Sequence, residues 1–264
     1  MYILICLLSL GFSDDPLLSP GRPIVADCAC DTAFSAIKNW LKECLSDHSL
    51  CRYQSSVSCL PKRVVDVGPS DGSREPRLLI TNGGRGTWLT LTHSWGGVKD
   101  LITTTENIHN LRRRIPWSEL PSLFRDSITI TRRLGVQYLW IDTLCIVQDD
   151  RTDWREQSAR MSDIYRHSML NISATTASNC REQILTKRDV RFTSIALVLQ
   201  SNDFNLNGKV IRIRPLLMNR SEAIDGRGSY LSKRGWTMQE RLMSPRTLHF
   251  GKEQLFWECR QSNL

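Results

Sequence analysis

The chain has 264 residues, of which 41% are hydrophobic and 23% charged. That composition supplies a sizeable core for one large domain and excludes global disorder. The net charge of +8 is thinly spread, with Arg112-Arg113-Arg114 and Arg132-Arg133 as its tightest clusters. These runs lack interleaved aromatics and fit no nucleic-acid reading motif, so solvated helix faces are expected and no nucleic-acid partner.

Tyr2 to Leu10 is apolar and ends before Asp14-Asp15. It is too short to span a membrane. It looks like the apolar part of a signal peptide, but no Lys or Arg precedes it and no clear small-residue cleavage site follows. Residues 1–31, with Pro16, Pro20 and Pro23, are expected to be irregular: a weak leader or an uneven start, with no membrane partner. Phe34, Ile37, Trp40 and Leu41 fall at helical spacing and predict a helix over 33–44. Pro61 to Pro76 reads as a loop-rich connector, which makes 32–76 an N-terminal helix plus connector and 77–264 the main domain.

Arg77 to Ile80 and Thr87 to Thr92 read as strands joined by a hairpin turn at Thr81-Asn82-Gly83-Gly84-Arg85-Gly86. The glycines there open no helix, which argues against a phosphate loop. Leu120, Leu123, Ser127, Ile130 and Leu134 repeat at helical spacing, with Pro121 tolerable in the first turn and Gly135 as the stop. Val136 to Ile141 is short, apolar and rich in aromatic and β-branched residues, which predicts a strand. Trp154, Ser158, Met161 and Tyr165 mark another helix, and Met169 to Ala174 another strand. The alternation predicts an α/β fold with a mostly parallel sheet flanked by helices. Ser194 to Leu199, Val210 to Ile213, Thr247 to Phe250 and Gln254 to Trp257 add β elements in the C-terminal third.

Nine cysteines cannot all pair within the chain, and six of them precede residue 60. A secreted disulfide scaffold is usually shorter and denser in cysteine, so reduced thiols in a cytoplasmic protein are expected. Cys44-x3-His48-x2-Cys51 has zinc-ligand chemistry. No second pair completes a tetrahedral set, so free thiols at a helix end and no metal are the expectation.

The densest group of reactive side chains follows the Val136 strand: Asp142, Cys145, Gln148 and Asp149. Ligands of open α/β sheets bind just beyond the carboxyl ends of strands. If the Thr87 and Val136 strands run parallel, His93 and Asp142 share one crevice at that edge. His93 is a candidate acid or base, or a structural tie between loops. Asp142 is a ligand contact or a cap, and Gly96 and Gly97 allow close approach of a ligand. Cys145 with His93 has the make-up of a thiol nucleophile and its base, but Leu144 and Ile146 around it favour a buried, inert thiol.

Several of these blocks together resemble the fungal heterokaryon-incompatibility (HET) family. Thr92-His93-Ser94-Trp95-Gly96 is similar to its Ser-His-Cys-Trp-Gly motif, and Trp140-Ile141-Asp142-Thr143-Leu144-Cys145 to its Trp-Ile-Asp-Ser-Leu-Cys block. Asp153-Trp154, Glu156, Met161 and Ile164-Tyr165 match a helix of the family, Arg234 to Arg241 its Arg-Gly-Trp-Thr-x-Gln-Glu-Arg block, and Trp257-Glu258-Cys259 a later motif. Thr92 and Ser94 depart from the family's Ser and Cys, as does His167-Ser168 from its usual small residue. The resemblance spans about Trp40 to Cys259.

The resemblance implies a Rossmann- or TIR-like core and an effector of non-self recognition, a form of fungal innate immunity that triggers growth arrest or programmed cell death. The family's remote likeness to TIR domains implies NAD as a substrate, with no further cofactor, cleaved with the help of a helix glutamate. Asp153-Trp154-Arg155-Glu156 looks like that arrangement, a carboxylate placed to stabilise oxocarbenium-like charge. A capping box of Asp153 with Glu156, or a Glu156–Arg160 pair, explains the same residues structurally. The candidate site then comprises Glu156 and His93 as catalytic groups, with Trp95, Gly96, Asp142, Cys145, Gln148, Asp149, Trp154, Gln239 and Glu240 as ligand contacts. A buried Trp236 beside a Glu240–Arg241 pair is the structural alternative for the last block. Expected partners are further copies of the chain or an upstream sensor. The competing function is a non-enzymatic signalling module that acts by self-association.

Overall fold

The structure, a computed structural model, describes residues 3–6, 25–52, 57–97, 100–188, 195–198, 210–215, 224–225, 229–233 and 235–262. In chain order, β1 (Ile3–Cys6) precedes α1 (Asp31–Asp47) and the short α2 (Ser49–Arg52). Next come β2 (Ser58–Cys59), β3 (Arg63–Asp66), β4 (Arg77–Ile80), β5 (Arg85–Gly86) and β6 (Trp88–Thr92). The helices α3 (Ile108–Arg113) and α4 (Ser122–Arg133) lead into β7 (Tyr138–Trp140), a single turn α5 (Asp142–Cys145), then α6 (Arg151–Arg166) and β8 (Leu170–Ser173). The last part holds β9 (Ile195–Val198), β10 (Val210–Pro215), α7 (Gly235–Met243), β11 (Arg246–Phe250) and β12 (Leu255–Cys259).

The main sheet has seven strands in the order β12-β11-β8-β6-β7-β3-β4. Its four central strands, β11, β8, β6 and β7, run parallel, and β12, β3 and β4 are antiparallel additions at the two sides. Parallel strands need crossovers, and the predicted helices supply them: α4 ends at Arg133, and just beyond its cap the φ of 74° at Gly135 lets the chain turn back into β7.

Two segments differ from expectation. The connector 61–76 contains β3, whose four residues are all buried and pair with both β4 and β7. Its run Val64-Val65 is an interior strand framed by prolines, and the prolines hid it. The stretch 81–86 is a turn, with Asn82 and Gly83 at positive φ, but it does not close a hairpin between β4 and β6. Instead β4 joins β3 and β6 goes to the centre of the sheet, because β6 is buried along its whole length. α1 and β3 are therefore part of the same layered core. At the start of the chain, residues 3–6 form a strand that pairs with β10, within a three-stranded sheet β1-β10-β9. Pro16, Pro20 and Pro23 lie outside the described residues.

The two faces of the parallel strands differ in chemistry. Leu89 and Leu91, Leu170 and Ile172, and Leu248 and Phe250 are in register on one face and form core. Thr90 and Thr92, Asn171 and Ser173, and Thr247 and His249 occupy the other. The apolar face meets α1 and α4: Trp40 packs at a tilt, with ring centroids 6.4 Å apart, on Trp257, the partner of Leu248 in the β11–β12 register. The polar face meets α6, where the indole of Trp88 donates to the carbonyl of Ile164. No described helix is long and apolar enough to cross a membrane.

Candidate functional site

His93 follows β6 and Asp142 follows β7, and the parallel pairing of those strands brings both to the carboxyl edge, as expected. His93 Nδ1 stands 3.7 Å from Asp142 Oδ1. This chain's own side chains fill the surroundings. Phe124 meets the His93 ring edge-on at 5.4 Å, and the Trp95 indole donates to Asp142 Oδ2 at 2.9 Å. The other carboxylate oxygen of Asp142 accepts from the Thr143 N–H at 2.7 Å. Asp142 thus both opens α5 and anchors the loop after β6.

The remaining residues of this block hold loops together. Gln148 donates to the carbonyls of Asp142 and Ile146, and its own N–H bonds Thr103. Asp149 accepts from the N–H and hydroxyl of Thr105, and these bonds lower its pKa. Gly96 has a φ of 57°, and an added Cβ there would collide with the Ser178 carbonyl oxygen. Its glycine is explained by the approach of the chain's own 178–179 loop, not by a ligand. Cys145 is wholly buried, and burial pushes its thiol up to about 12. It is a core residue, because a neutral thiol packed on all sides neither attacks nor contacts a ligand.

On α6 the predicted roles are redistributed. Asp150 is the N-cap, accepting from the N–H groups of Thr152 and Asp153, so Asp153 does not form a capping box with Glu156. Asp153 is buried and receives the Val147 N–H, Lys62 and the guanidinium of Arg63. Burial raises its pKa, but those donors outweigh burial and hold it below the usual carboxylate range. Glu156 is about half exposed and pairs with Lys62 at 2.8 Å instead of with Arg160. Trp154 is exposed as well.

The C-terminal block also differs from its structural reading. Trp236 is 63% exposed, together with Met238 and Leu242 on α7, so it anchors no core. Glu240 is buried and, with Gln239, borders a narrow gap between α7 and α6 near Tyr165. Arg241 pairs with Glu258 and Asp225. Arg234 lies outside the described residues.

The geometry points to a neighbouring cavity of about 420 Å³. It lies on the polar face at the carboxyl ends of β6, β8 and β11, beneath α7. Thr92, Asn171, Ser173, Thr175, His249, Glu258, Arg241, Asp225 and Thr237 line it, with Ile224, Leu231, Met238 and Leu242 as apolar walls. Its floor carries two groups of hydrogen-bonded polar side chains. Asn171 bonds Thr90 and Thr92, Ser173 Oγ lies 3.2 Å from Thr175 Oγ1, and Thr175 Oγ1 lies 3.5 Å from His249 Nδ1. His249 Nε2 in turn is 2.8 Å from Glu258, which Arg241 also grips at 2.6 and 3.1 Å. Burial pushes the Glu258 carboxyl up, yet His249 and Arg241 together hold it far below the usual range. Such a row of hydroxyls and amide beside a carboxylate–imidazole pair suits a polar ligand with several hydroxyls. The volume falls in the range of about 300–1,000 Å³ typical of small-molecule sites.

Asn171, Ser173 and His249 were missed in the sequence because each sits in a strand that reads as core, and Thr175 because it falls in the turn after one. One signal was available: the alternation Leu170-Asn171-Ile172-Ser173 puts two polar groups on one face of a central strand, where both faces are normally apolar.

A family model described as Heterokaryon incompatibility protein (HET) matches residues 88–240, more than half of the chain. No curated protein matches the chain, and no solved structure does.

Proposed function

The chain belongs to the heterokaryon-incompatibility (HET) family, and from that premise we propose that it is the effector of a non-self recognition system whose activation arrests growth or kills the cell. The observation that carries this reading is the match over 88–240, a span that includes the His93, Asp142 and Glu240 blocks.

As mechanism we propose chemistry on a small polar ligand in the cavity over β8 and β11, with NAD as the substrate and its nicotinamide–ribose bond as the bond broken by water. Three features support this: the position at the carboxyl ends of parallel strands, the hydroxyl-rich lining, and a partly buried carboxylate whose pKa is held far below the usual range. A fixed negative charge stabilises the oxocarbenium-like ribose formed as nicotinamide leaves. Glu258 faces the cavity, whereas Glu156 is not among its lining residues. A second reading, a module acting by self-association, is favoured by the exposed Trp236, Met238 and Leu242 on α7.

Forced oligomerisation in yeast separates these readings. Loss of growth preceded by a fall in NAD, both abolished in Glu258→Gln and retained in Glu156→Gln, supports the cavity chemistry. Loss of both effects in Glu156→Gln alone moves the chemistry to α6. Toxicity with unchanged NAD leaves the self-association module, and no toxicity at all removes the effector reading. Circular dichroism of each variant checks folding, because Glu258 also holds Arg241 and His249.

A further inference from the structure

We propose that Cys44, His48, Cys51 and Cys259 bind a structural zinc ion. Cys44 lies in the last turn of α1, His48 at its C-cap, Cys51 in α2, and Cys259 ends β12. The first three come together because the chain turns sharply between α1 and α2. The fourth arrives from more than 200 residues away, as the Cys259 Sγ to His48 Nδ1 distance of 3.3 Å shows. The four donor atoms all lie within 4.8 Å of one another. Zinc with Zn–S bonds of about 2.3 Å places tetrahedral donors roughly 3.8 Å apart, so a slight contraction seats the ion.

Hydrogen-bond donors reach two of the three sulfurs. The Nε–H of Arg246 donates to Cys44 Sγ at 3.2 Å, and the Ser262 N–H donates to Cys259 Sγ at 3.2 Å. Such outer donors are what metal-bound sulfur keeps around it. Charge gives an independent reason. Arg246 is fully buried, and its other hydrogen-bond partners among the described residues are the carbonyls of Met169 and Cys51, with no carboxylate among them. A buried guanidinium needs a counter-charge. Three thiolates and a neutral imidazole on a divalent cation leave one net negative charge, which is that counter-charge. The three thiol protons go to solvent as the metal binds.

Four protein ligands leave no open position, the pattern of a structural site. Arg246 and Cys259 pair at the first residue of β11, so the cluster sits at the amino edge of the parallel strands, while the cavity lies at their carboxyl ends. All four ligands lie outside residues 88–240. The ion thus fastens α1 and α2, on one flank of the HET span, to β12 on the other.

The test uses the full chain purified under reducing conditions. Elemental analysis is expected to find about one zinc per chain, and cobalt exchange to give the d–d absorption of tetrahedral thiolate coordination. Cys259→Ser and Cys51→Ser should each lose the ion, while Cys59→Ser, at an exposed thiol, should keep it. His48→Cys, which substitutes one ligand for another, should retain metal even where the serine variants fail to fold. Absence of zinc and of the cobalt bands in the wild-type chain overturns the proposal. So does a disulfide among Cys44, Cys51 and Cys259, or zinc retained in a folded Cys259→Ser.

Discussion

Two stretches of the same carboxyl edge have opposite fates. Beyond β6 and β7, His93 and Asp142 meet as their strands dictate, and Phe124 packs on His93 while Trp95 bonds Asp142. Beyond β8 and β11, Ser173, Thr175 and His249 line an open volume with Glu258 and Arg241. The difference teaches that strand ends make a site available without making it a site. Large side chains delivered by α4 and by the loop after β6 consume the first stretch, while small hydroxyls leave room in the second. Substitutions in the first stretch and its supports should therefore cost stability, and substitutions in the second should cost binding.

The largest effect is expected at Asp153→Asn. It leaves Arg63 buried without its ionic partner, a change worth about 3–5 kcal/mol, measured by urea unfolding. The same variant carries a pH signature. Asp153 has a depressed pKa in the folded state, so its contribution is fully present above the unfolded value of about 3.9 and is lost as pH falls through the folded value. Asp153→Asn should flatten that acid limb; an unchanged slope would show that Asp153 carries no such linkage.

Glycines come next. Gly96→Ala should cost about 1–2 kcal/mol for its positive φ and more for the collision with Ser178. Gly97 has a φ of 74°, and an added Cβ there would meet nothing within 4 Å, so Gly97→Ala carries only the first cost. Equal losses in the two variants would show that the 178–179 loop is not what requires Gly96. Trp95→Phe removes the donor to Asp142 and should cost about 1–3 kcal/mol, with binding in the cavity unchanged.

The smallest stability effects belong to the cavity and the outer face of α6. Ser173→Ala removes one hydroxyl contact and should cost about 0.5–1.5 kcal/mol, yet weaken NAD binding measured by calorimetry. Glu156→Gln breaks an exposed pair worth about 0–1 kcal/mol, and should leave binding as it was. The reverse pattern would move the ligand from the cavity to α6.

Much of the layered core was legible in the sequence. The helix over Ser122–Arg133, its Gly135 stop and the strands at 138–140 and 170–173 follow from periodicity and turn chemistry that act over a few residues. β3 was not legible, because an interior strand of four residues between prolines carries too little pattern of its own and is defined by pairing with β4 and β7. Glu156 illustrates a second limit. Helical spacing offered Arg160 as its partner, and the tertiary fold brought Lys62 closer.

The sequence by itself determined the α/β alternation, the family, and the meeting of His93 with Asp142, since each depends on local pattern and on the direction of parallel strands. Only the tertiary structure decided which part of the edge stays open, where Asp153 and Glu156 find their partners, and that Cys259 completes the group at Cys44, His48 and Cys51. Those outcomes join residues tens to hundreds of positions apart. No local rule links such residues, and their proximity exists only once the sheet order is set.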